Sequence, residues 1–185
     1  MIGFLKKLTR EFSAEIENRT ILGRGTSKLS GNYVIEESTS RDRNNEEHIY
    51  RRLIFESTPT LIQSECRMME KKVVQSKGGS KSKKSKKPKS KVEIVFDLDF
   101  VASEYYYGII LAVEVLLKNR NEKSEKQVPK VLIVGLGGGC VTSYLAHKYP
   151  QLELGSVEID EEIVTVAKKY FNYKVGTNYT QRFNV

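Results

Sequence analysis

The chain has 185 residues, 39% of them hydrophobic, so it is long and apolar enough to bury a core and is not expected to be disordered throughout. The two cysteines, Cys66 and Cys140, belong to no Cys-x-x-Cys or Cys/His pattern. We therefore expect free thiols, no metal site, and a cytoplasmic protein with a nuclear location as the alternative. The N-terminal MIGFLKKLTREF has too short an apolar start for a signal peptide or a membrane span, so no membrane partner is expected.

The net charge of +8 comes from one segment. Ten of the 31 basic residues are lysines between Lys71 and Lys91, where no acidic residue occurs. Removing these ten leaves 21 basic residues against 23 acidic ones, so the remainder is nearly neutral. The basic character therefore does not predict that the folded part binds nucleic acid.

Residues 1–47 form a poorly defined N-terminal segment in which glycines interrupt every long periodicity. The pattern predicts only a short helix over Glu11–Ile21 and a short strand over Tyr33–Glu37. Residues 48–70 predict a β-hairpin with strands Tyr50–Glu56 and Thr60–Glu65, because a Ser-Thr-Pro turn separates two apolar runs.

Residues 71–91 are predicted to be a disordered lysine- and serine-rich loop. Its central sequence, SKGGSKSKKSKKPKSK, has no large apolar residue and cannot offset its own ordering entropy. Three roles stay open for it: a solvated spacer, a segment that contacts RNA phosphates, and a nuclear localisation signal.

Residues 92–185 predict an α/β domain. A strand over Val92–Leu98 leads to a helix over Val101–Lys118, with Tyr105 on its apolar stripe and Asp99 as its cap. Beyond Pro129 the order strand, helix, strand, helix, strand predicts a Rossmann-like, doubly wound parallel sheet. The first strand of this run is β-branched and apolar, which is typical of a strand buried on both faces. The predicted elements are Lys130–Val134, a helix to about Tyr149, Leu152–Glu158, Asp160–Asn172, and a third strand that opens at Arg182–Val185.

A glycine turn and an acidic residue carry the functional signal. Gly135-Leu-Gly-Gly-Gly139 joins a strand to a helix, where the missing Cβ atoms let a ligand approach backbone N–H groups. Glu158 ends the next strand, at the spacing from which a carboxylate accepts hydrogen bonds from ribose hydroxyls. A dinucleotide fingerprint would have glycine at position 140, where this chain has Cys140. The pattern therefore favours the looser turn of methyltransferases over that of dehydrogenases.

The segment VLIVGLGGGCVTSYLAHKYPQLELGSVEIDEEIVTVAKKYFNY resembles the elongation factor 1-alpha lysine and N-terminal methyltransferases, in particular their second methyltransferase domain. That family is itself similar to spermidine synthases. YRRLIFESTPTLIQSE resembles the hairpin before the core in both groups, and DFVASEYYYGIILA resembles the helix that leads into it. The lysine- and serine-rich insertion is similar to that of plant members. The resemblance covers about residues 48–185.

This resemblance implies a class I methyltransferase core that binds S-adenosyl-L-methionine and methylates a protein lysine or N-terminal amine, with an elongation factor 1-alpha-like substrate. It implies cofactor contacts from the turn and from Glu158, and, by analogy with spermidine synthases, from Gln63 in the hairpin. No catalytic residue is assigned. The implied cofactor-binding residues are Gly135, Leu136, Gly137, Gly139, Glu158 and Gln63.

Two alternatives stay open. The first is aminopropyl transfer, as in spermidine synthases, although GLGGGC lacks the aspartate of their usual GGGDGG form. The second is a non-catalytic fragment whose lysine-rich loop binds nucleic acid or directs nuclear import. Because the sequence stops within the third predicted strand, we expect a partial core that is inactive as this chain alone.

Overall fold

The computed structural model describes residues 18–41, 44–74, 90–120, 127–174 and 179–182. Within these residues, an antiparallel five-stranded sheet precedes a parallel three-stranded sheet with helices. The elements in chain order are β1 (Asn18–Ser27), β2 (Gly31–Arg41), β3 (Glu47–Phe55), β4 (Ile62–Val74), β5 (Ser90–Phe96), α1 (Tyr105–Lys118), β6 (Lys130–Val134), α2 (Cys140–Lys148), β7 (Glu153–Val157), α3 (Glu161–Tyr170) and β8 (Tyr179–Arg182).

The N-terminal segment contains more regular structure than the sequence predicted. β1 and β2 pair antiparallel, with Asn18 opposite Thr39 at one end of the ladder and Ser27 opposite Gly31 at the other. The helix predicted over Glu11–Ile21 is therefore wrong for residues 18–21, which are strand. Its remaining part lies outside the described residues. Gly23 and Gly25, which suggested breaks in the pattern, lie within β1 because neighbouring tyrosines leave no room for a side chain there. A Cβ at Gly23 would come within 2.3 Å of the Tyr170 hydroxyl, and one at Gly25 within 2.2 Å of the Tyr33 hydroxyl.

The predicted hairpin is present as β3 and β4, paired from Ile49–Met68 to Ile54–Ile62. Both ends of the predicted lysine-rich loop are strand, because β4 runs on to Val74 and β5 begins at Ser90. Lys71 faces Glu93 in this ladder, an opposite-charge pair that favours the register. The prediction for residues 75–89 lies outside the described residues.

Helix α1 differs from its prediction at its N-terminal end. It begins at Tyr105, and its N-cap residue, Glu104, makes no side-chain capping bond. Asp99 is not a cap; its Oδ1 lies 3.4 Å from Lys148 Nζ and 3.6 Å from His147 Nε2. Tyr105 is also not a core residue: it is 76% exposed, and the adjacent Tyr106 packs against the core cluster instead.

The three parallel strands β6, β7 and β8 confirm the α/β prediction, with β7 between the other two. The prediction that β6 is buried on both faces is wrong. Ile133 is buried against α1 and α2, whereas Leu132 is 64% and Val134 is 82% exposed. In the described part of the chain, β6 pairs with β7 alone and has its second face uncovered. β8 begins at Tyr179, three residues before its predicted start.

The core joins the two sheets. Ile35 of β2 and Leu53 of β3 pack against Ile163 and Val166 of α3, and all four are buried. A second cluster fills the space between α1, α2 and the parallel sheet. No described helix has the length and apolar character needed to cross a membrane.

Candidate cofactor-binding site

The glycine turn between β6 and α2 depends on backbone conformations that favour glycine. Gly135, Gly137 and Gly139 have φ angles of +84°, +54° and +73°. At Gly137 the packing adds a second constraint, because a Cβ would lie 2.5 Å from the Ser64 hydroxyl oxygen. An ideal Cβ at Gly135 would meet no atom within 4 Å, so the space beside the start of the turn is open. A ligand can therefore approach the backbone there.

Glu158 follows β7 directly and holds the turn. Its Oε2 accepts hydrogen bonds from the backbone N–H groups of Leu136, at 2.8 Å, and Gly137, at 3.4 Å. Its Oε1 accepts one from the backbone N–H of Asp160, at 3.1 Å. Because a carboxylate offers about four acceptor positions, Oε1 keeps capacity for one further donor. The side chain is buried, and its charge is matched by these three backbone dipoles.

The hairpin reaches the same turn from the other sheet. The Ser64 hydroxyl accepts a hydrogen bond of 2.8 Å from the backbone N–H of Gly138. The carbonyl oxygen of Gln63 would lie 3.9 Å from a Cβ at Gly137, so Gln63 is close to the turn through its backbone. Its side chain is exposed. The structure thus brings together the six predicted cofactor residues; their role in binding stays a prediction.

Sequence reasoning missed Ser64 and the capping role of Asp160. Serine in a strand carries no signal of its own, and only the fold places Ser64 beside the turn. Asp160 caps α3, because its carboxylate accepts from the backbone N–H of Glu162 at 3.0 Å. The signal for this cap was present in the sequence, as an aspartate before two acids and an apolar run.

Asp160 also ties α3 to the β1–β2 turn. The hydroxyls of Ser27 and Ser30 donate to its Oδ2, each at 2.5 Å. Burial acts to raise the pKa of Asp160, but these two hydrogen bonds, with two from backbone N–H groups, lower it below the ordinary value of 3.8. Asp160 is therefore a structural anion beside the site.

A cavity of about 320 Å³ lies behind the turn, between β4, β5 and α2. Its lining includes Cys66, Phe96, Tyr106, Cys140 and Phe171. Burial, the main cause, raises the pKa of Tyr106 to about 12. Neither the glycine turn nor Glu158 lines this cavity, which meets the turn only where α2 begins. The cavity is therefore separate from the open side of the turn, where the nucleoside site is predicted.

Comparison with curated proteins supports the family that the sequence resembles. The chain is 33% identical over 167 residues to an eEF1A lysine and N-terminal methyltransferase from Xenopus laevis, covering 86% of this chain and 23% of the relative. It is 30% identical over 169 residues to the one from Homo sapiens, covering 86% and 23%. A shorter match, 43% identical over 49 residues, joins it to a polyamine aminopropyltransferase from Vibrio vulnificus, covering 26% of this chain and 16% of that protein. No family model matches the chain.

Among solved structures, human methyltransferase-like protein 13 in complex with SAH is similar, with 25% identity, a TM-score of 0.38, and coverage of 45% of this chain and 37% of that one. A probable spermidine synthase from Corynebacterium glutamicum has 14% identity, a TM-score of 0.48, and coverage of 90% and 45%. At these scores the fold assignment rests on the strand order of this chain itself. The chain is a homologue of the eEF1A lysine and N-terminal methyltransferases over most of its own length, and it spans about a quarter of theirs.

Proposed function

We propose that this chain forms the nucleoside-binding part of an S-adenosylmethionine-dependent methyltransferase. The observation that carries the proposal is the Glu158 carboxylate, held against the glycine turn by the N–H groups of Leu136 and Gly137. A buried carboxylate at the end of a parallel strand, beside a glycine turn, is the arrangement that binds a ribose. The relatives' names supply the reaction class.

The residues present fit this cofactor. The open space beside Gly135 admits a ligand against the backbone, and α2 begins directly behind the turn. Oε1 of Glu158 can accept one ribose hydroxyl directly. A second hydroxyl can replace the weak 3.4 Å contact that Gly137 makes with Oε2. The positive end of the α2 dipole favours the carboxylate of the cofactor's amino acid part.

When bound, the cofactor supplies an electrophilic methyl group, which a neutral amine attacks. The contribution of this chain is to hold the nucleoside and fix the direction of the methyl carbon, since alignment supplies much of the rate in such displacements. Glu158 orients the ribose, and the turn sets the depth at which the cofactor lies. No described residue is assigned to proton removal from the acceptor.

The proposed acceptor is a protein amine, a lysine or an N-terminus, because the relatives are named for eEF1A lysine and N-terminal methylation. The proposed location is therefore cytoplasmic. Aminopropyl transfer is the second candidate, favoured by the local match to a polyamine aminopropyltransferase. Activity with decarboxylated S-adenosylmethionine and putrescine, without methylation of an eEF1A-like protein, would reverse this order.

A charge-neutral variant tests the cofactor assignment. We expect Glu158→Gln to weaken binding of S-adenosylhomocysteine about tenfold or more, because the ribose loses a charged acceptor worth about 1.5–3 kcal/mol. Calorimetry on the purified protein measures the affinity. Glu161→Gln is the matched control. It also removes one negative charge, but from an exposed side chain in α3, three residues after Glu158.

Two results would contradict the assignment. One is equal affinity of the native protein and Glu158→Gln when both melt cooperatively. The other is an equal loss in Glu158→Gln and Glu161→Gln, because the effect would then be one of general charge. Far-UV circular dichroism on each variant separates loss of binding from loss of fold.

A further inference from the structure

The two cysteines of the chain meet in space although they are distant in sequence. Cys66 lies on β4 and Cys140 is the first residue of α2; both are half-buried free thiols. Both line the cavity of about 320 Å³ behind the glycine turn. The two thiols are near enough to interact, and the Cys66 sulfur also lies 3.9 Å from the carbonyl oxygen of Arg51.

A neighbouring hydrogen bond holds the segments that carry the two cysteines side by side. Ser64 precedes Cys66 by two residues on the same face of β4, and Gly138 precedes Cys140 by two residues in the turn. Ser64 and Gly138 are joined by the 2.8 Å hydrogen bond and are 74 residues apart, the same separation as the two cysteines. Cα atoms of β4 and α2 come within 8 Å of each other, so the two elements that carry the cysteines are in contact.

We propose that Cys66 and Cys140 are a modification site: a dithiol that small-molecule disulfides, such as oxidised glutathione, convert reversibly into an intramolecular disulfide. The cross-link would join the antiparallel sheet to the start of α2, one residue after the glycine turn. It does not depend on which ligand the turn binds.

The chemistry balances in two exchanges. In the first, the Cys140 sulfur attacks oxidised glutathione, its S–S bond breaks, and one glutathione leaves as a thiolate that takes up the proton lost by Cys140. In the second, the Cys66 sulfur attacks the Cys140 sulfur of the mixed disulfide, and the second glutathione leaves with the proton from Cys66. Two protein thiols are oxidised, and one glutathione disulfide is reduced to two thiols.

The surroundings assign the order of the two steps. Cys140 begins α2 directly after the glycine turn, whereas Cys66 lies within β4. Burial, followed by the interaction with Cys140, raises the pKa of the Cys66 thiol well above its ordinary value. Cys66 is thus the slower, resolving thiol, and the second exchange should accelerate as the pH rises.

The test uses the reduced, folded chain at low micromolar concentration with oxidised glutathione at pH 8. After alkylation of free thiols, digestion without reduction and mass spectrometry identify the linked peptides. We expect the peptide of Cys66 joined to that of Cys140, and release of two glutathiones per chain. The same reaction in concentrated urea is the reference. The yield of the internal disulfide relative to glutathione adducts should be at least about tenfold higher in the folded protein, because folding raises the effective concentration of one thiol at the other.

Single variants test the order of attack. Cys66→Ser should stop at a stable glutathione adduct on Cys140, and Cys140→Ser should leave Cys66 largely unmodified. If either variant fails to fold, the comparison between native and urea-unfolded protein decides alone. Three results overturn the proposal: folded protein that keeps both thiols free while the unfolded chain reacts, a lasting Cys140 adduct with Cys66 unlinked, or disulfides formed only between chains.

Discussion

At Gly137 both the backbone conformation and the packing exclude a Cβ atom. Its φ of +54° disfavours any side chain, and the Ser64 hydroxyl occupies the position beside its absent Cβ. Gly135 has the same kind of backbone angle, +84°, but faces open space. The pair therefore separates the cost of backbone strain from the cost of a collision.

We expect Gly135→Ala to lower the free energy of unfolding by about 1–2 kcal/mol from strain alone. Gly137→Ala should cost more, about 2–4 kcal/mol, because Ser64 must also move and its bond to Gly138 weakens. Urea unfolding followed by circular dichroism measures both. The added cost in Gly137→Ala should shrink when Ser64→Ala is combined with it. Equal losses in the two single variants would show that the contact with Ser64 has no energetic effect.

At the scale of elements, the β1–β2 turn and the start of α3 are held together through one carboxylate. Ser27 and Ser30 donate to Asp160, which in turn caps α3. Ser27 also accepts from the backbone N–H groups of Leu29 and Ser30, at 2.9 and 3.0 Å. Ser30→Ala is consequently the cleaner probe, because it removes one bond to the carboxylate and leaves the turn otherwise intact.

The stability that this contact contributes should depend on pH. The folded-state pKa of Asp160 is below 3.8, so its bonds stabilise the protein above about pH 3.8 and lose their effect as the pH falls through the folded-state value. We expect Ser30→Ala to cost about 1 kcal/mol at pH 7 and progressively less as the pH is lowered below 3.8. Urea unfolding at pH 7 and at a series of acidic pH values tests this. Thr165→Ala, which removes an exposed hydroxyl bonded to a backbone oxygen, is the control. A cost of Ser30→Ala that stays constant with pH would contradict the contact with an ionised Asp160.

Elements with a repeating pattern were predictable, and those decided by a distant neighbour were not. The β6–turn–α2–β7 order and Glu158 follow from apolar runs, glycines and one acid. The β1 strand was missed because its glycines are required by Tyr33, opposite Gly25 on the neighbouring strand, and by Tyr170, far along the chain. Tyr105 was misplaced because the face of α1 that packs against the core runs through Tyr106, Ile110 and Val113 and leaves Tyr105 exposed. The proximity of Ser64 to the turn and of Cys66 to Cys140 depends on how β4 docks, which no local pattern contains.

At the scale of the whole molecule, one core serves both sheets. Leu53 of β3 is fully buried in the cluster that includes Ile163 and Val166 of α3. Arg51 adds a polar link between the same elements, since its Nη1 donates to the carbonyl oxygen of Tyr170 at 2.7 Å while its Nη2 pairs with Glu37 at 2.5 Å. The antiparallel sheet and the α/β part are therefore expected to unfold as one unit.

This coupling predicts how a cavity in one sheet affects the other. Leu53→Ala should lower the free energy of unfolding by about 2–5 kcal/mol, because it deletes buried methyl groups and leaves a void. Leu111→Ala, at a position 63% exposed on α1, should change it by about 0.5 kcal/mol or less. Hydrogen exchange shows which elements lose stability. In Leu53→Ala the backbone amides of α3 should exchange faster, together with those of β3. If exchange accelerates in β3 while α3 keeps its native protection, the shared cluster does not couple the two parts, and each sheet would be stable by itself.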